Sequence, residues 1–284
     1  MTPQATPSPP KTTLRPSRGW SAVDFREILR FRDLLIVLAG RDIKLRYKQT
    51  AIGVAWVLLQ PLLASGVFTL VFGLVFGQAE RTAAVGLPFF VFAFANQMAW
   101  QAFQSTLSKS SASMVGNAHL VSKVYFPRLI LPLSTVGSSL LDFAVAVPVL
   151  AILMGAYGLA PPVGLVTLPI WLGLILLLAT GLGLTAATLT VSYRDVQYIL
   201  PVLIPFLLYA SPVAYPLANV PEHLRIYFYA NPLTGLIEAF GWSVHGRINP
   251  CWPAVAYSAL WAGVTFVFGA TLFRRMERRF ADVI

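Results

Sequence analysis

Five stretches of this chain, residues 49–79, 82–108, 143–193, 196–221 and 248–273, contain no Asp, Glu, Lys or Arg. A helix needs about 20 apolar residues to cross a hydrocarbon layer of about 30 Å, so most of these runs can each hold one crossing. The run 143–193 can finish one crossing and hold another. A membrane barrel would show short segments alternating apolar and polar residues. The runs here are continuous, so helices are expected. Composition agrees: 11% of the residues are charged, against about 25% in an average soluble domain.

Six spanning helices are expected, at about 50–78, 85–108, 129–157, 163–191, 196–216 and 252–273. An even number puts both termini on one side, and Lys and Arg decide which, because cytoplasmic loops carry their excess. Residues 1–48 hold 10 of them, 109–128 hold 3, Arg194 adds one and 274–279 hold 4. Only Arg81, Arg225 and Arg247 fall on the other side. Both termini are therefore expected in the cytoplasm. The net charge of +10 is accounted for by orientation, and no nucleic-acid partner is expected. Residues 1–20 are rich in Pro, Ser and Thr without a hydrophobic stretch. They read as a disordered tail and not as a signal peptide. The single cysteine, Cys251, has no partner for an internal disulfide.

Residues 21–48 form an expected amphipathic helix in the interface plane, with Phe31, Leu34, Leu35 and Leu38 on one face. Arg41, Lys44 and Lys48 follow helical spacing and share another face, with Arg46 nearby. Two readings stay open: anchoring beside anionic headgroups, and a site that meets an anionic, lipid-linked substrate. The loop 109–128 is too long for a tight turn and should contain a short helix ending before Pro127. That loop and the brief "SYRDV" at 192–196 read either as docking points for a cytoplasmic protein or as simple capped loops. On the far side, 217–250 is too polar at its start to span and too aromatic for a solvated loop. Pro221 suits a helix start and Asn231-Pro232 a break, so two short helices dipping into the outer leaflet are expected.

Chemistry narrows the choices further. There is no G-x-x-x-x-G-K-[ST] phosphate loop, so the chain is not expected to hydrolyse nucleotide itself. His119, His223 and His245 are scattered, which suits solvated loops better than a metal site, and no metal or catalytic residue is expected. Asp142 is the one acid inside an expected crossing. It reads as a proton site or, preferably, as an acceptor for neighbouring hydroxyls. Along the second crossing, Phe89, Phe92, Asn96, Trp100 and Phe103 make one stripe, and Gln97, Gln101, Gln104 and Ser108 an adjacent one. Neutral amides are costly against lipid, so they must face protein or water. Aromatic faces beside amides suit a sugar-lined pore; the same residues also serve as packing glue between helices. On the fifth helix Tyr198, Phe206 and Tyr209 share a face, and Pro201, Pro205 and Pro212 should bend it.

The stretch "RDIKLRYKQTAIGVAWVLLQPLL" (41–63), with "VGNAHLVSKVYFPRLILPLSTV" (115–136), "VSYRDVQYILPVL" (191–203), "SPVAYP" (211–216) and "NPLTGLIEAF" (231–240), closely resembles the membrane permeases of bacterial ABC-2 polysaccharide exporters. The O-antigen and lipopolysaccharide permeases are the nearest type, with capsule and teichoic acid permeases as relatives. The resemblance covers nearly everything after residue 20, in order. The Pro-rich tail departs from it.

This resemblance implies an all-α integral membrane protein of the ABC-2 (type V exporter) fold, comprising 1–20 as tail, 21–48 as interface helix and 49–284 as a six-helix domain. It implies a homodimer in the bacterial inner membrane with two copies of a separate ATPase subunit. ATP and Mg would be bound by that partner and no cofactor by this chain. An undecaprenyl-diphosphate-linked glycan would enter sideways near Arg41, Lys44, Arg46 and Lys48 and first meet Trp56 and Gln60. The implied pore is lined further by Phe92, Asn96, Gln97, Trp100, Gln101, Phe103, Tyr198, Phe206 and Tyr209. A coupling helix at 116–125 would meet the ATPase through Asn117, Leu120 and Lys123, with Arg194 in the second loop. Two re-entrant helices within 219–245 would form the periplasmic gate, with Tyr227, Phe228, Tyr229 and Asn231.

Overall fold

The computed structural model describes residues 29–48, 54–123 and 126–283. The proposed tail at 1–20 lies outside them, as do the start of the interface helix and residues 124–125 of the 116–125 segment. Among the described residues the regular elements are all helices, without strands. We number the helices α1 (Arg32–Lys48), α2 (Val54–Phe68), α3 (Gln78–Ala83), α4 (Phe89–Gly116), α5 (Ala118–Lys123), α6 (Ile130–Ala156), α7 (Leu168–Ser192), α8 (Val196–Tyr209), α9 (Glu222–Tyr229), α10 (Pro232–His245) and α11 (Trp252–Val283). α2 continues as a π-helix through Thr69–Val75, and a 3-10 turn, Val163–Thr167, leads into α7.

Among the described residues, four helical segments are long and apolar enough to cross a membrane: Ala55–Val75, Ile130–Ala156, Val163–Ser192 and Trp252–Glu277. Their outer surfaces stay apolar, with Leu63, Leu70, Leu74, Ile152, Leu260 and Val267 exposed. Hydrocarbon tolerates such a surface; water does not. Several of their hydroxyls are satisfied within the helix, as where Thr180, Thr188 and Thr190 donate to the carbonyl four residues back.

α4 is the hub, packed on α6 and α7 and touched by α2, α8 and α10. Its buried interior joins Phe94, Trp100, Phe103, Ile175, Leu178 and Phe240 in one core. At 28 residues it is about 42 Å long, although its amides keep it out of the apolar four. It runs eight residues beyond its expected end at 108. No Gly or Pro interrupts 89–115, and the break comes only at Gly116-Asn117. α8 departs the other way. It stops at Tyr209, not at 216, after 14 residues, or about 21 Å. Pro212 disfavours helical geometry at Ser211, and 210–216 turns instead.

Against α7 lies α11, at very short range. A β-carbon on Gly181 would sit 2.5 Å from the Phe266 backbone nitrogen, so the two backbones touch with no side chain between them. α1 packs against α6. Phe31, just before α1, and its Leu34, Leu35 and Leu38 enter a second core with Met114, Val121, Phe126, Ile130 and Phe273. The apolar face read from the sequence is thus placed against protein.

Candidate functional site

α4 places Gln101, Ser105, Lys109, Ser113 and Asn117 at successive i+4 steps, which puts them in one line along the helix. α6 answers with Thr135, Ser138, Ser139 and Asp142. Lys109 Nζ lies 3.2 Å from Asp142 Oδ2 and donates to Ser138 Oγ at 2.9 Å. The Asp142 side chain is 8% exposed and that of Lys109 29%. On one side of this pair, a 420 Å³ cleft is lined by Asp42, Lys109, Ser113, Asn117, Thr135 and Ser138. On the other side, a 20 Å³ cavity is bounded by Gln60, Gln101, Ser139 and Asp142. The ion pair separates the two. Asp142, read from the sequence as an acceptor for hydroxyls or a proton site, meets Lys109, a residue expected in the loop 109–128. The correction follows from the extra turns of α4, which carry Lys109 inside the bundle.

Arg41 is engaged within the protein. Its Nε and Nη2 donate to Asp42 Oδ1 at 3.1 and 2.9 Å, and Nη2 donates to Asn117 Oδ1 at 2.7 Å. Asn117 Nδ2 in turn donates to the Ser113 carbonyl at 2.8 Å. Arg41 and Asn117 are thus bonded to each other, with the Arg41 side chain still 34% exposed. Lys44 is exposed; the side chains of Arg46 and Lys48 lie outside the described residues. In α5, Leu120 leans on the second core, while Lys123 is exposed, as is Arg194 in the α7–α8 turn.

The aromatic stripe of α4 faces inward. Phe92, Asn96, Gln97, Trp100 and Phe103 are all buried within the protomer, so the structure does not place them on a pore wall. Trp100 Nε1 donates to Gln104 Oε1 at 2.7 Å. Asn96 Nδ2 donates to the Pro212 carbonyl at 3.2 Å, and the Phe92 ring lies 6.1 Å from that of His245. A helical period reports a face, not what covers it. Here the cover is α7 and α10, admitted by small residues: a β-carbon on Gly241 would lie 2.5 Å from Asn96 Oδ1. Of the expected pore residues, Trp56, Gln60, Tyr198, Phe206 and Tyr209 are exposed and Gln101 is half-buried. A second groove, of 350 Å³, runs between α4, α7 and α8, with Ser108, Ser111, Thr190 and Gln197 in its wall.

At the far end, Pro221 precedes α9 and Asn231 caps α10, its Oδ1 accepting from the Leu233 N–H at 3.0 Å. Asn231 Nδ2 also donates to Ser211 Oγ at 2.9 Å. Tyr227 is exposed, Phe228 and Tyr229 are half-buried, and the rings of Phe228 and Tyr215 meet edge-on at 6.0 Å. Two groups here escaped the sequence reading. Glu238 is largely buried with Oε2 unpartnered, and burial pushes its carboxyl up to about 7. His245 was expected to be solvated but is buried, which lowers it to about 4; its Nδ1 accepts the Arg247 N–H at 3.1 Å. Their chemical types were visible, but their burial depends on α10 folding back onto α4. No group of three potential metal ligands occurs among the described residues.

Comparison with known proteins places this architecture. An O-antigen export system permease protein, RfbA, of Klebsiella pneumoniae is 28% identical over 264 residues, covering 89% of this chain and 95% of that protein. The RfbA permease of Myxococcus xanthus is 29% identical over 263 residues, covering 91% and 98%. The polysialic acid transport protein KpsM of Escherichia coli is 25% identical over 242 residues, covering 84% and 91%. The sequence profile described as ABC-2 type transporter matches residues 33–244. With a match over most of its length, the chain belongs to the ABC-2 type transporter family.

Proposed function

We propose that this protein is the membrane permease subunit of an ABC exporter that moves a lipid-linked polysaccharide, of the O-antigen class, from cytoplasm to periplasm. The observation that carries this reading is the nearly end-to-end match to two O-antigen export permeases. The match to a polysialic acid transporter supports a second reading within the same class, a capsular polysaccharide permease. An ABC-2 drug or small-lipid exporter would share the scaffold without a continuous glycan channel.

In this reading two copies assemble with two ATPase subunits, which hold ATP and Mg. α4, and α8 together with the uncharged turn 210–216 that follows it, join the four apolar segments to make six crossings, with both termini in the cytoplasm. α5 and the α7–α8 turn, with exposed Lys123 and Arg194, meet the ATPase. α9 and α10 gate the periplasmic mouth through Tyr227, Phe228, Tyr229 and Asn231. The glycan path falls to the groups a protomer leaves open: Trp56, Gln60, Gln101, Tyr198, Phe206 and Tyr209. Aromatic rings stack on sugar C–H faces and amides answer hydroxyls.

Deletion of the gene tests the reading. Undecaprenyl-linked glycan should accumulate inside the cell and disappear from the surface, with both restored by the intact gene. Unchanged surface glycan of every kind would refute it, and loss of capsule alone would select the second reading.

A further inference from the structure

Arg41 and Asn117 are 76 positions apart, yet Nη2 and Oδ1 meet at 2.7 Å. The orientation of the amide is set independently, because Asn117 Nδ2 donates to the Ser113 carbonyl and only Oδ1 is left to accept. Asn117 is also where α4 ends and α5 begins: its carbonyl accepts the N–H groups of Leu120 and Val121 at 2.9 and 3.1 Å. α5 is thus hung from the residue that Arg41 grips. The hydrophobic side tells the same story, since Val121 and Leu120 share the second core with Leu34, Leu35 and Leu38 of α1. A push on α5 cannot leave α1 in place without breaking both connections.

What lies beneath this link gives it a use. Asp42 and Asn117, the two groups that Arg41 joins, both line the 420 Å³ cleft that leads to Lys109. The guanidinium ties one wall to the other. Its bonds are charge-assisted and directional, so they hold one geometry and release it as a unit.

We propose that Arg41 is a positioning residue, a latch that ties α1 to α5 through Asn117 and makes access to the Lys109 cleft follow the position of α5. The proposal rests on the reading that α5 meets an ATPase. On this account the basic residue at 41 transmits motion and is not the ligand for a cargo's anionic group.

The test uses the permease purified with its ATPase subunit in lipid nanodiscs, with Cys251→Ser removing the native thiol and Ser113→Cys reporting from the buried cleft wall. Reaction with a charged maleimide is timed without nucleotide and after trapping with ATP and vanadate. With the latch intact, the two rates should differ. Arg41→Ala and Asn117→Ala should each raise the nucleotide-free rate about tenfold, in line with loss of one hydrogen bond to a charged group, and should erase the nucleotide effect. The double variant should go no further than either single one. Asn117→Asp keeps an acceptor for Arg41 but gives up the Nδ2 bond to the Ser113 carbonyl, so its rate should lie nearer wild type than that of Asn117→Ala and keep a nucleotide effect. Additive effects in the double variant, no change in the single ones, or an Asn117→Asp variant that behaves as Asn117→Ala would overturn the latch. The labelling is read without any glycan. A gene deletion that spares surface polysaccharide would therefore remove the function while leaving the latch result standing.

Discussion

Replacing Lys109 and Asp142 one at a time should have unequal costs, and the inequality follows from their surroundings. Breaking a buried ion pair by removing one partner destabilises by about 3–5 kcal/mol, because the surviving charge stays in a poorly solvated place. Lys109→Met leaves the Asp142 carboxylate at 8% exposure, so the full range applies. Asp142→Asn leaves an ammonium 29% exposed on the wall of a 420 Å³ cleft. There water can reach it and Ser138 Oγ stays within 2.9 Å, which brings the cost toward that of a surface pair, about 1–2 kcal/mol. At about 2 °C per kcal/mol for a chain of this size, the melting temperature should fall by about 6–10 °C for Lys109→Met and about 2–4 °C for Asp142→Asn. The double variant Lys109→Met, Asp142→Leu removes both charges and should lie closer to wild type than Lys109→Met. Thermal unfolding of the detergent-purified protein, followed by tryptophan fluorescence, reads all three. Equal losses from the single variants, or a double variant as unstable as Lys109→Met, would refute the assignment of a buried pair with one wet end.

Glu238 should make the far end sensitive to pH. Its carboxyl titrates at 4.5 when unperturbed and at about 7 in the fold, so the fold favours the protonated form. That stabilisation is complete below about 4.5 and is lost as pH rises through about 7. Corrected for the intrinsic pH dependence of exchange, the protection of α9 and α10 should fall between about pH 4.5 and 7 and level off above, and Glu238→Gln should flatten the change; an unaltered slope in that variant would assign the effect elsewhere. Gly241→Ala puts a β-carbon 2.5 Å from Asn96 Oδ1 and should cost about 1–3 kcal/mol by overpacking. A melting temperature equal to wild type would show that α10 is not held against α4 at that point.

Much of the fold was legible from the chain. Continuous charge-free runs near a bilayer's thickness call for helices and not for the alternating strands of a barrel, and α2, α6, α7 and α11 obey because a helix satisfies its backbone within the segment. Pro221 and Asn231-Pro232 marked the starts of α9 and α10 because Pro and Asn act locally. What failed to transfer was the question of what each face meets. Trp100 and Phe103 carry a period that suits a pore wall and a packed core equally well, and only the close approach of α7 and α10 decides for the core. Lys109 was misplaced for a related reason. A serine-rich stretch reads as the start of a loop, yet with no breaker until Gly116 the helix continues and takes the lysine with it. Arg41 has an acceptor that the sequence could not show: a basic residue beside a membrane advertises its charge while Asn117 lies 76 positions away.

The bare contact of α7 with α11 at Gly181 sets the mechanics of the whole protomer. Sliding two helices past one another needs side chains that can change rotamer and let go; backbone seated on backbone has none to change. α7 and α11, with α4 packed on α7, should therefore travel as one stiff frame. The working stroke then falls to the parts hung on its edges: α1 with its guanidinium tie and the α5 it grips, α2 with its widened π turns, the short proline-bearing α8, and the α9–α10 pair at the far end.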